Sequence, residues 1–201
     1  MMKIEPIILA GEYVRLEPIK MKHLENLCAV GLEESIWQWM TVHINTKEEM
    51  QKYIEAALDE QKRGISLPFV TIEKSSGVIV GSTRFGNIDP QNRRVEIGWT
   101  WINPNWQRTA INTEAKFLML EQAFEKWKCI RVELKTDALN LKSRNAILRI
   151  GATEEGILRQ HLVTDSGRFR DSVYFSIIDS EWEMVKGNLI KLKTTVSDKF
   201  A

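Results

Sequence analysis

The spacing of apolar residues changes repeatedly along the chain, and these changes limit the possible folds more than any other feature of the sequence. Alternating apolar and polar residues are typical of half-buried strands, whereas a spacing of three to four residues is typical of helices. The predicted strands are residues 13–19, 69–73, 78–85, 95–102, 130–136, 155–163 and 169–178, and the predicted helices are residues 21–30, 48–63, 112–127 and 143–150. Consecutive strands predict antiparallel pairing, and a helix between two strands predicts a parallel crossover. We therefore predict one α/β domain with a mixed, mostly antiparallel central sheet.

The composition excludes several classes of protein. A length of 201 residues suits one domain, and 43% hydrophobic residues are enough for a folded core. The formal net charge of +1 argues against a nucleic-acid-binding protein. No apolar run is long enough for a membrane helix or a signal peptide. Cys28 and Cys129 are expected to be buried, reduced thiols of a cytoplasmic protein, and the sequence contains no motif of metal ligands.

The segment that follows the predicted strand 95–102 gives the strongest indication of a binding site. Pro104 ends this strand because proline has no N–H group to donate. A short loop with Gln107 and Arg108 then leads into a helix that we expect to start at about Asn112. The unpaired N–H groups of a helix N-terminus, the helix dipole and an arginine together suit a phosphate group. The alternative is a capped helix with a solvated arginine, and the residues alone leave both possibilities open.

The same loop resembles the acetyl-CoA motif of the GNAT superfamily of N-acyltransferases, which is Q/R-x-x-G-x-G/A followed by a helix. Here the motif reads Q-R-T-A-I-N, so that Ala110 and Asn112 stand at the two small-residue positions. Three further segments resemble the RimJ/RimL-type branch, which acetylates protein N-termini and has relatives that acetylate small amines. These segments are V-R-L-E-P-I near the N-terminus, the N-L-K-S-R run from Asn140, and G-R-F-R-D-S-V-Y-F-S-I from Gly167.

The resemblance implies one GNAT-like domain over residues 1–201, with a core at about 11–182 and a C-terminal tail over 183–201. It implies helices on both faces of a sheet that opens after Ile102 into a gap for the pantetheine arm of acetyl-CoA. The implied cofactor-binding residues are the backbone of Trp101, Ile102 and Asn103, the loop and helix start from Gln107 and Arg108 through Thr109, Ala110, Ile111, Asn112 and Thr113, and the side chains of Asn140, Ser143 and Arg144. Among these, Asn140 is expected to position pantetheine, and Arg144 is expected to face the nucleotide phosphates.

The resemblance also gives two candidates for proton transfer. Glu96 is the candidate base that removes a proton from the amine, and an ion pair with a nearby cation is its alternative role. Many family members provide a tyrosine acid from the helix after Asn140, but this position is Ile147 here. Ser143 is therefore the candidate acid for the CoA thiolate, with an ordinary helix-start serine as the alternative. The backbone N–H near Ile102 is the candidate donor to the oxyanion.

Seven tryptophans are present, and several of them are grouped in the sequence. Trp37, Trp39 and Trp99, together with Arg84, are candidate substrate-side residues, and core packing is the alternative for the first two. We expect a monomer or homodimer that acetylates a primary amine, of a protein N-terminus or a small molecule, without a metal. The alternative function is a CoA-binding sensor or partner module that lacks catalysis.

Overall fold

The computed structural model of the protein describes residue 2 and residues 4–197, so that residues 1, 3 and 198–201 of the predicted domain and tail lie outside the described residues. The strands are β1 (Leu9–Ala10), β2 (Val14–Pro18), β3 (Leu67–Glu73), β4 (Ile79–Asp89), β5 (Arg94–Ile102), β6 (Arg131–Asp137), β7 (Thr153–Val163) and β8 (Phe169–Ile178). The α-helices are α1 (Leu24–Gly31), α2 (Glu34–Trp37), α3 (Lys47–Lys62), α4 (Ala110–Glu121), α5 (Leu141–Arg149) and α6 (Trp182–Ser197). One π-helical turn, Gln122–Lys126, continues α4.

All eight strands form one sheet, in the order β1-β2-β3-β4-β5-β6-β8-β7. β5 and β6 are parallel and are connected through α4, and every other neighbouring pair is antiparallel. The predicted mixed, mostly antiparallel sheet is therefore confirmed. Helix α5 also connects two parallel strands, but β8 lies between β6 and β7, so these two are not neighbours. The chain order alone does not show this insertion, because either strand of the last hairpin can join β6.

Helices cover both faces of the sheet. On one face, α4, α5 and α6 pack over the larger core, to which the sheet contributes Phe85, Ile97 and Val132. On the other face, α1, α2 and α3 pack over a smaller core that includes Val70 and Trp101. The smaller core ends at β5, since none of the described residues of β6, β7 or β8 belongs to it. That part of the sheet face is therefore available for polar side chains.

A buried carboxylate fixes helix α4 to the N-terminal strands. Glu114 is fully buried and accepts hydrogen bonds from the backbone N–H groups of Glu12, Tyr13 and Val14 at 3.0, 2.6 and 2.9 Å. Lys193 of α6 lies 3.2 Å from the same carboxylate. Buried charges are stable only with such partners. These bonds hold the helix whose N-terminus follows the predicted cofactor loop.

Several boundaries differ from the predictions. The predicted tail over 183–201 is wrong for its described part, because α6 (Trp182–Ser197) packs Val185 and Leu189 into the larger core, and β4 continues to Asp89 rather than ending at residue 85.

Helix α4 begins at Ala110 rather than Asn112, because Thr109 has extended backbone and its hydroxyl accepts a hydrogen bond from the N–H of Ile111, as a helix N-cap does. The segment between the first predicted helices, expected to be irregular, contains the single helical turn α2. Short elements of this kind have too few residues for a recognisable period.

Both cysteines are free thiols. Cys129 is buried, and burial raises its pKa to about 11, whereas Cys28 is partly exposed rather than buried as predicted. Within residues 2 and 4–197, no helix combines the length and the apolar character needed to cross a bilayer. The same residues contain no group of three or more His, Cys, Asp or Glu side chains that could hold a metal ion.

Candidate active site

Strands β5 and β6 separate soon after they begin. They pair only from Arg94 opposite Arg131 to Glu96 opposite Glu133. Beyond this point β5 stays paired with β4 as far as Ile102, while β6 stays paired with β8. The sheet therefore opens after Glu96 and not after Ile102 as predicted. The two strands separate before the proline because β5 follows its partner β4 while β6 follows its partner β8.

Ile102 presents its backbone groups to this gap. Backbone groups along an antiparallel strand face the partner strand and the opposite side in turn. The N–H of Asn103 donates to the carbonyl of Val80 at 2.9 Å, so the backbone of Trp101 also faces β4. The prediction that the backbones of Trp101 and Asn103 bind the cofactor is therefore not supported, because these groups are paired within the protein. The carbonyl of Ile102 accepts a hydrogen bond from Nε2 of Gln107 at 2.9 Å, and its N–H faces the gap.

The loop after β5 ends at the N-terminus of α4, where donor groups are available. The Thr109 hydroxyl donates to the carbonyl of Trp106 at 2.8 Å, and it lies at a long 3.4 Å from the N–H of Ile111. Arg108 is exposed, has a positive φ of 64°, and makes no ion pair with any described residue. Oδ1 of Asn112 is buried without a hydrogen-bond partner. This arrangement suits an anion, which is one of the two possibilities that the sequence leaves open; the capped helix and exposed arginine of the other possibility are also present.

Helix α5 lies beside the same N-terminus. Nη2 of Arg149 is 3.4 Å from the hydroxyl of Thr113 in the first turn of α4. Arg144, which we expected to face phosphates, instead lies 3.1 Å from the carboxylate of Glu154 and donates to the carbonyl of Ala138 at 3.3 Å. The structure therefore brings Arg149 to the predicted anion site, whereas the ion pair that Arg144 makes is with Glu154. The sequence contains no signal for this, because Arg149 lies outside the motif.

The first turn of α5 contains the other predicted residues. Oδ1 of Asn140 accepts a hydrogen bond from the N–H of Ser143 at 3.0 Å and so caps the helix. The hydroxyl of Ser143 is partly exposed and has no hydrogen-bond partner among the described residues. Ile147, one turn further on, is buried in the larger core. Ser143 is therefore the hydroxyl that this part of the helix offers.

Glu96 lies where β5 leaves β6, and only 2% of it is exposed. Its Oε2 accepts a hydrogen bond from Nδ2 of Asn87 at 2.8 Å and lies 3.0 Å from Nζ of Lys135. Its Oε1 lies close to Gly98, where a Cβ atom would be 2.8 Å away. The ion pair that the sequence left open is therefore present, with Lys135 as the cation. It compensates the buried charge through one carboxylate oxygen and leaves the other without an ion-pair partner.

A bulge in the β4–β5 pair changes the direction of the Trp99 side chain. The pairing register shifts between Ser82 and Arg84, and Trp99 has a φ of 49°, which is rare for a bulky residue. Bulges of this kind are common beside active sites, where they re-aim a side chain. The Trp99 ring lies 5.1 Å from the guanidinium carbon of Arg84 and 5.7 Å from Nζ of Lys135.

A buried lysine supports the bulge from the α4 side. Lys116 is 7% exposed, and its Nζ lies 2.7 Å from the hydroxyl of Thr100 and 3.5 Å from that of Thr83. The two hydroxyls are 2.8 Å apart. No carboxylate among the described residues pairs with Lys116, and burial lowers the pKa of this lysine to about 7. This amine therefore loses its proton far more easily than that of a solvent-exposed lysine.

The predicted substrate-side tryptophans have different environments. Trp37 is fully buried, and its ring centre is 5.8 Å from that of Tyr53 and 5.5 Å from that of Trp101. The prediction that Trp37 forms an acceptor wall is wrong, because the residue fills the smaller core. Trp39 is partly exposed, and the guanidinium carbon of Arg168 lies 5.7 Å from its ring. Only Trp39 of this pair is open to a substrate.

Polar side chains occupy the part of the sheet face that the smaller core leaves uncovered. Lys135 is opposite Tyr174 in the β6–β8 register, and Asp137 is opposite Ser172, so these four share one face. Lys135 connects them to Glu96 of β5. We call this surface the polar basin, and its main residues are Glu96, Trp99, Lys135, Asp137, Arg170 and Tyr174. Arg84 adjoins it, since its guanidinium carbon is 5.1 Å from both the Tyr53 and Trp99 rings.

Comparison with known proteins identifies the family. Residues 14–153 match the family model described as an acetyltransferase (GNAT) domain. This chain belongs to the GNAT acetyltransferase family. The resemblance predicted from the sequence and the class of enzyme that it implies, an acyltransferase, are both confirmed.

Individual relatives of this GNAT protein agree with the family match. It is 22% identical to the ribosomal-protein-serine acetyltransferase of Escherichia coli over 178 residues, which cover 87% of this chain and 98% of the relative. It is 36% identical to YdaF of Bacillus subtilis over 107 residues, which cover 53% of this chain and only 57% of YdaF.

Solved structures share the fold. A GCN5-related N-acetyltransferase from Brucella melitensis superposes with a TM-score of 0.86 at 36% identity, over 94% of this chain and 86% of the other. Mycobacterium smegmatis RimJ, solved in complex with CoA-disulfide, superposes with a TM-score of 0.79 at 23% identity, over 93% and 95% of the two chains. The second similarity concerns the fold alone.

Proposed function

We propose that this GNAT protein transfers the acetyl group of acetyl-CoA to a primary amine that attacks it directly. The observation that carries the proposal is the gap between β5 and β6 beside the N-terminus of α4. The free edge of β5 at Ile102 can pair with an extended ligand arm as it would with an added strand. The helix N-terminus with Arg108 suits the phosphates of the same ligand.

The residues at this edge fit acetyl-CoA. Asn112 has a buried side-chain oxygen without a partner, which is a polar group that a ligand can satisfy. In this proposal, the pyrophosphate is held by the N–H groups of Ala110, Ile111, Asn112 and Thr113 and by the side chains of Arg108 and Arg149, and the amide of Asn140 contacts pantetheine. When bound, acetyl-CoA supplies the activated acetyl thioester. Gln107 does not contact the ligand in this proposal. Its side-chain amide instead donates a hydrogen bond to the carbonyl of Ile102 and so holds the edge of β5.

Glu96 is the base in this proposal. A primary amine is mostly protonated near neutral pH and must lose a proton before it attacks. Glu96 accepts that proton directly or through a water, and Lys135 and Asn87 position the carboxylate through Oε2. The N–H of Ile102 donates a hydrogen bond to the oxyanion that forms during attack.

Ser143 is the proposed donor to the leaving thiolate, because its hydroxyl is partly exposed and uncommitted, whereas Ile147 cannot donate. The missing tyrosine at Ile147 and the altered small-residue positions, Ala110 and Asn112, are the reasons to consider a CoA-binding module without catalysis. Membership of the acetyltransferase family and the position of Glu96 where β5 leaves β6 favour the enzyme.

The Escherichia coli relative is named a ribosomal-protein-serine acetyltransferase, which supports a protein as the acceptor, and the RimJ/RimL-type resemblance implies that the amine is its N-terminus. A small-molecule amine is the second candidate, because the RimJ/RimL-type branch that the sequence resembles has relatives that acetylate small amines. A cytoplasmic location and a monomeric or homodimeric state remain predictions from the sequence.

Release of free CoA thiol from acetyl-CoA tests the proposed function. The purified protein is incubated with acetyl-CoA and either peptides with free N-termini or a panel of small primary amines, and acetylated products are identified by mass spectrometry. We expect thiol release that requires both the protein and an acceptor amine. Tight binding of acetyl-CoA without thiol release for any acceptor would contradict the proposal and favour the non-catalytic module.

A further inference from the structure

The end of the polar basin beyond Lys135 contains a buried arginine whose charge and hydrogen-bond donors are only partly matched by the protein. Arg170 is 6% exposed, and its Nε lies 3.9 Å from Asp137, which Arg168 already contacts at 2.5 Å. Nη1 of Arg170 lies at a long 3.4 Å from the carbonyl of Trp39, and its Nε has no hydrogen-bond partner. A buried guanidinium with unused donors is unfavourable unless a ligand completes its hydrogen bonds.

Two neighbouring side chains also have a buried polar atom without a hydrogen-bond partner. Ser172 is fully buried two residues along β8 from Arg170, and its hydroxyl has no partner. His161 lies on the facing stretch of β7, with its Nδ1 buried and without a partner and its ring 5.6 Å from that of Tyr174. Buried polar atoms without partners are rare in folded proteins. Three of them on one stretch of the β7–β8 hairpin indicate a place where a polar ligand group binds.

The charges of the surrounding side chains show which sign this group has. The other charged side chains here form three ion pairs, Arg84 with Glu60 at 2.9 Å, Lys135 with Glu96 at 3.0 Å and Arg168 with Asp137 at 2.5 Å. Arg170 adds a fourth positive charge without a carboxylate of its own. Desolvation lowers the pKa of Arg170, as expected for a buried cation that lacks a close partner. The ligand group that restores the balance is an anion.

We propose that Arg170 binds a carboxylate of the acetyl acceptor, so that the acceptor contains both a primary amine and a carboxylate. This inference rests on the proposed function, because it assigns the substrate class of the same site. A planar guanidinium matches a carboxylate through two parallel hydrogen bonds. Asp137, beside Arg170, lies two residues from Lys135 on the same strand face, which corresponds to about 7 Å. In the acceptor, the carboxylate bound by Arg170 and the amine near Glu96 are therefore separated by several bonds.

Two kinds of acceptor have this chemistry: a free amino acid, and a peptide with an acidic residue next to its N-terminus. Matched pairs distinguish them: 4-aminobutanoate against 4-aminobutanamide, and amidated peptides that begin Ser-Asp against Ser-Asn. We expect kcat/KM, measured by thiol release, to favour the carboxylate member of one pair by ~10- to 100-fold. The pair that shows the preference identifies the kind of acceptor. Equal kcat/KM within both pairs would overturn the proposal.

Variants of the arginine test its role directly. Arg170→Gln should reduce the preference for the carboxylate to less than about 3-fold, while Arg170→Lys, which retains the charge, should keep part of it. Arg159→Gln changes an exposed arginine of the same hairpin and should leave the preference unchanged. Thermal unfolding and acetyl-CoA binding confirm that each variant is folded. A preference that survives in Arg170→Gln would assign the carboxylate to another residue.

A binding measurement separates this inference from the proposed function. If no acceptor is acetylated, the proposed function fails. Binding of the same matched pairs to the CoA-loaded protein, measured by calorimetry, then still reports on Arg170. Equal affinities for carboxylate and amide would overturn the inference, whereas a carboxylate preference lost in Arg170→Gln would support it without catalysis.

Discussion

The cofactor edge and the polar basin lie on either side of the point where β5 leaves β6, and they are built from different kinds of groups. The cofactor edge, as proposed above, consists mainly of backbone, namely the edge of β5 at Ile102 and the N-terminus of α4, within residues 102–113. The polar basin consists of side chains, such as Glu96, Lys135 and Arg170, from three strands that the sheet order makes neighbours.

This difference explains how each region tolerates change. Every residue except proline has a backbone N–H group, so a helix N-terminus keeps its donors when Ala110 and Asn112 stand at the small-residue positions. A basin built from side chains depends on each residue type, so one substitution can change the acceptor. The following experiments test this contrast.

The largest effect is expected for Glu96→Gln, which removes the proposed base and keeps the shape. We expect kcat to fall by ~100- to 1,000-fold, while the KM for acetyl-CoA, which reports on the cofactor edge, changes less than about 2-fold. Glu133→Gln is the control, since Glu133 is opposite Glu96 in the β5–β6 register and pairs with Arg94 and Arg131. Undiminished turnover in Glu96→Gln would show that another group takes the proton.

A smaller effect, on the pH dependence of stability, is expected for Lys116→Met. Lys116 supports the bulge that lies between the two regions. The pKa of Lys116 is lowered to about 7 in the folded protein from 10.5, so between these pH values unfolding takes up a proton. Stability from this residue therefore rises with pH, and the wild type should gain about 2 kcal/mol from pH 7 to pH 9 relative to Lys116→Met. Urea unfolding at both pH values measures this difference.

Lys126→Met provides the matched control for this experiment, because Lys126 is exposed at the end of the π-helical turn that continues α4. Its stability should follow the wild type at both pH values. If Lys116→Met also follows the wild type, the buried amine does not titrate near neutral pH and another group compensates its charge.

The smallest effect is expected at the cofactor edge, where the backbone supplies most of the contacts. Arg149→Ala should raise the KM for acetyl-CoA by ~5- to 10-fold, and less at high salt, because the arginine is exposed. Arg144→Ala should raise it less than about 2-fold, since Arg144 is engaged with Glu154. Steady-state kinetics at two salt concentrations decide between them. The reverse order would restore Arg144 as the phosphate contact expected from the sequence.

The tertiary structure revised the predictions where distant segments meet. Trp37 and Trp39 are two residues apart, yet only the first fills the core, because α2 and α3 pack over β5. The opening after Glu96 depends on how β4 and β8 pair with the neighbouring strands. No local pattern reports either arrangement.

By itself, the sequence determined most of the strands and helices and the mixed sheet, because each depends on residues close together in the chain. The turn between β5 and α4 is an example, since Pro104 and Thr109 act through local backbone geometry, although the helix begins at Ala110 and not at Asn112 as predicted. Only the tertiary structure decided that Lys135 pairs with Glu96, that Arg149 reaches α4, and that Arg170 is buried with Asp137 at 3.9 Å. These facts depend on strand order and register, which packing of the whole sheet selects.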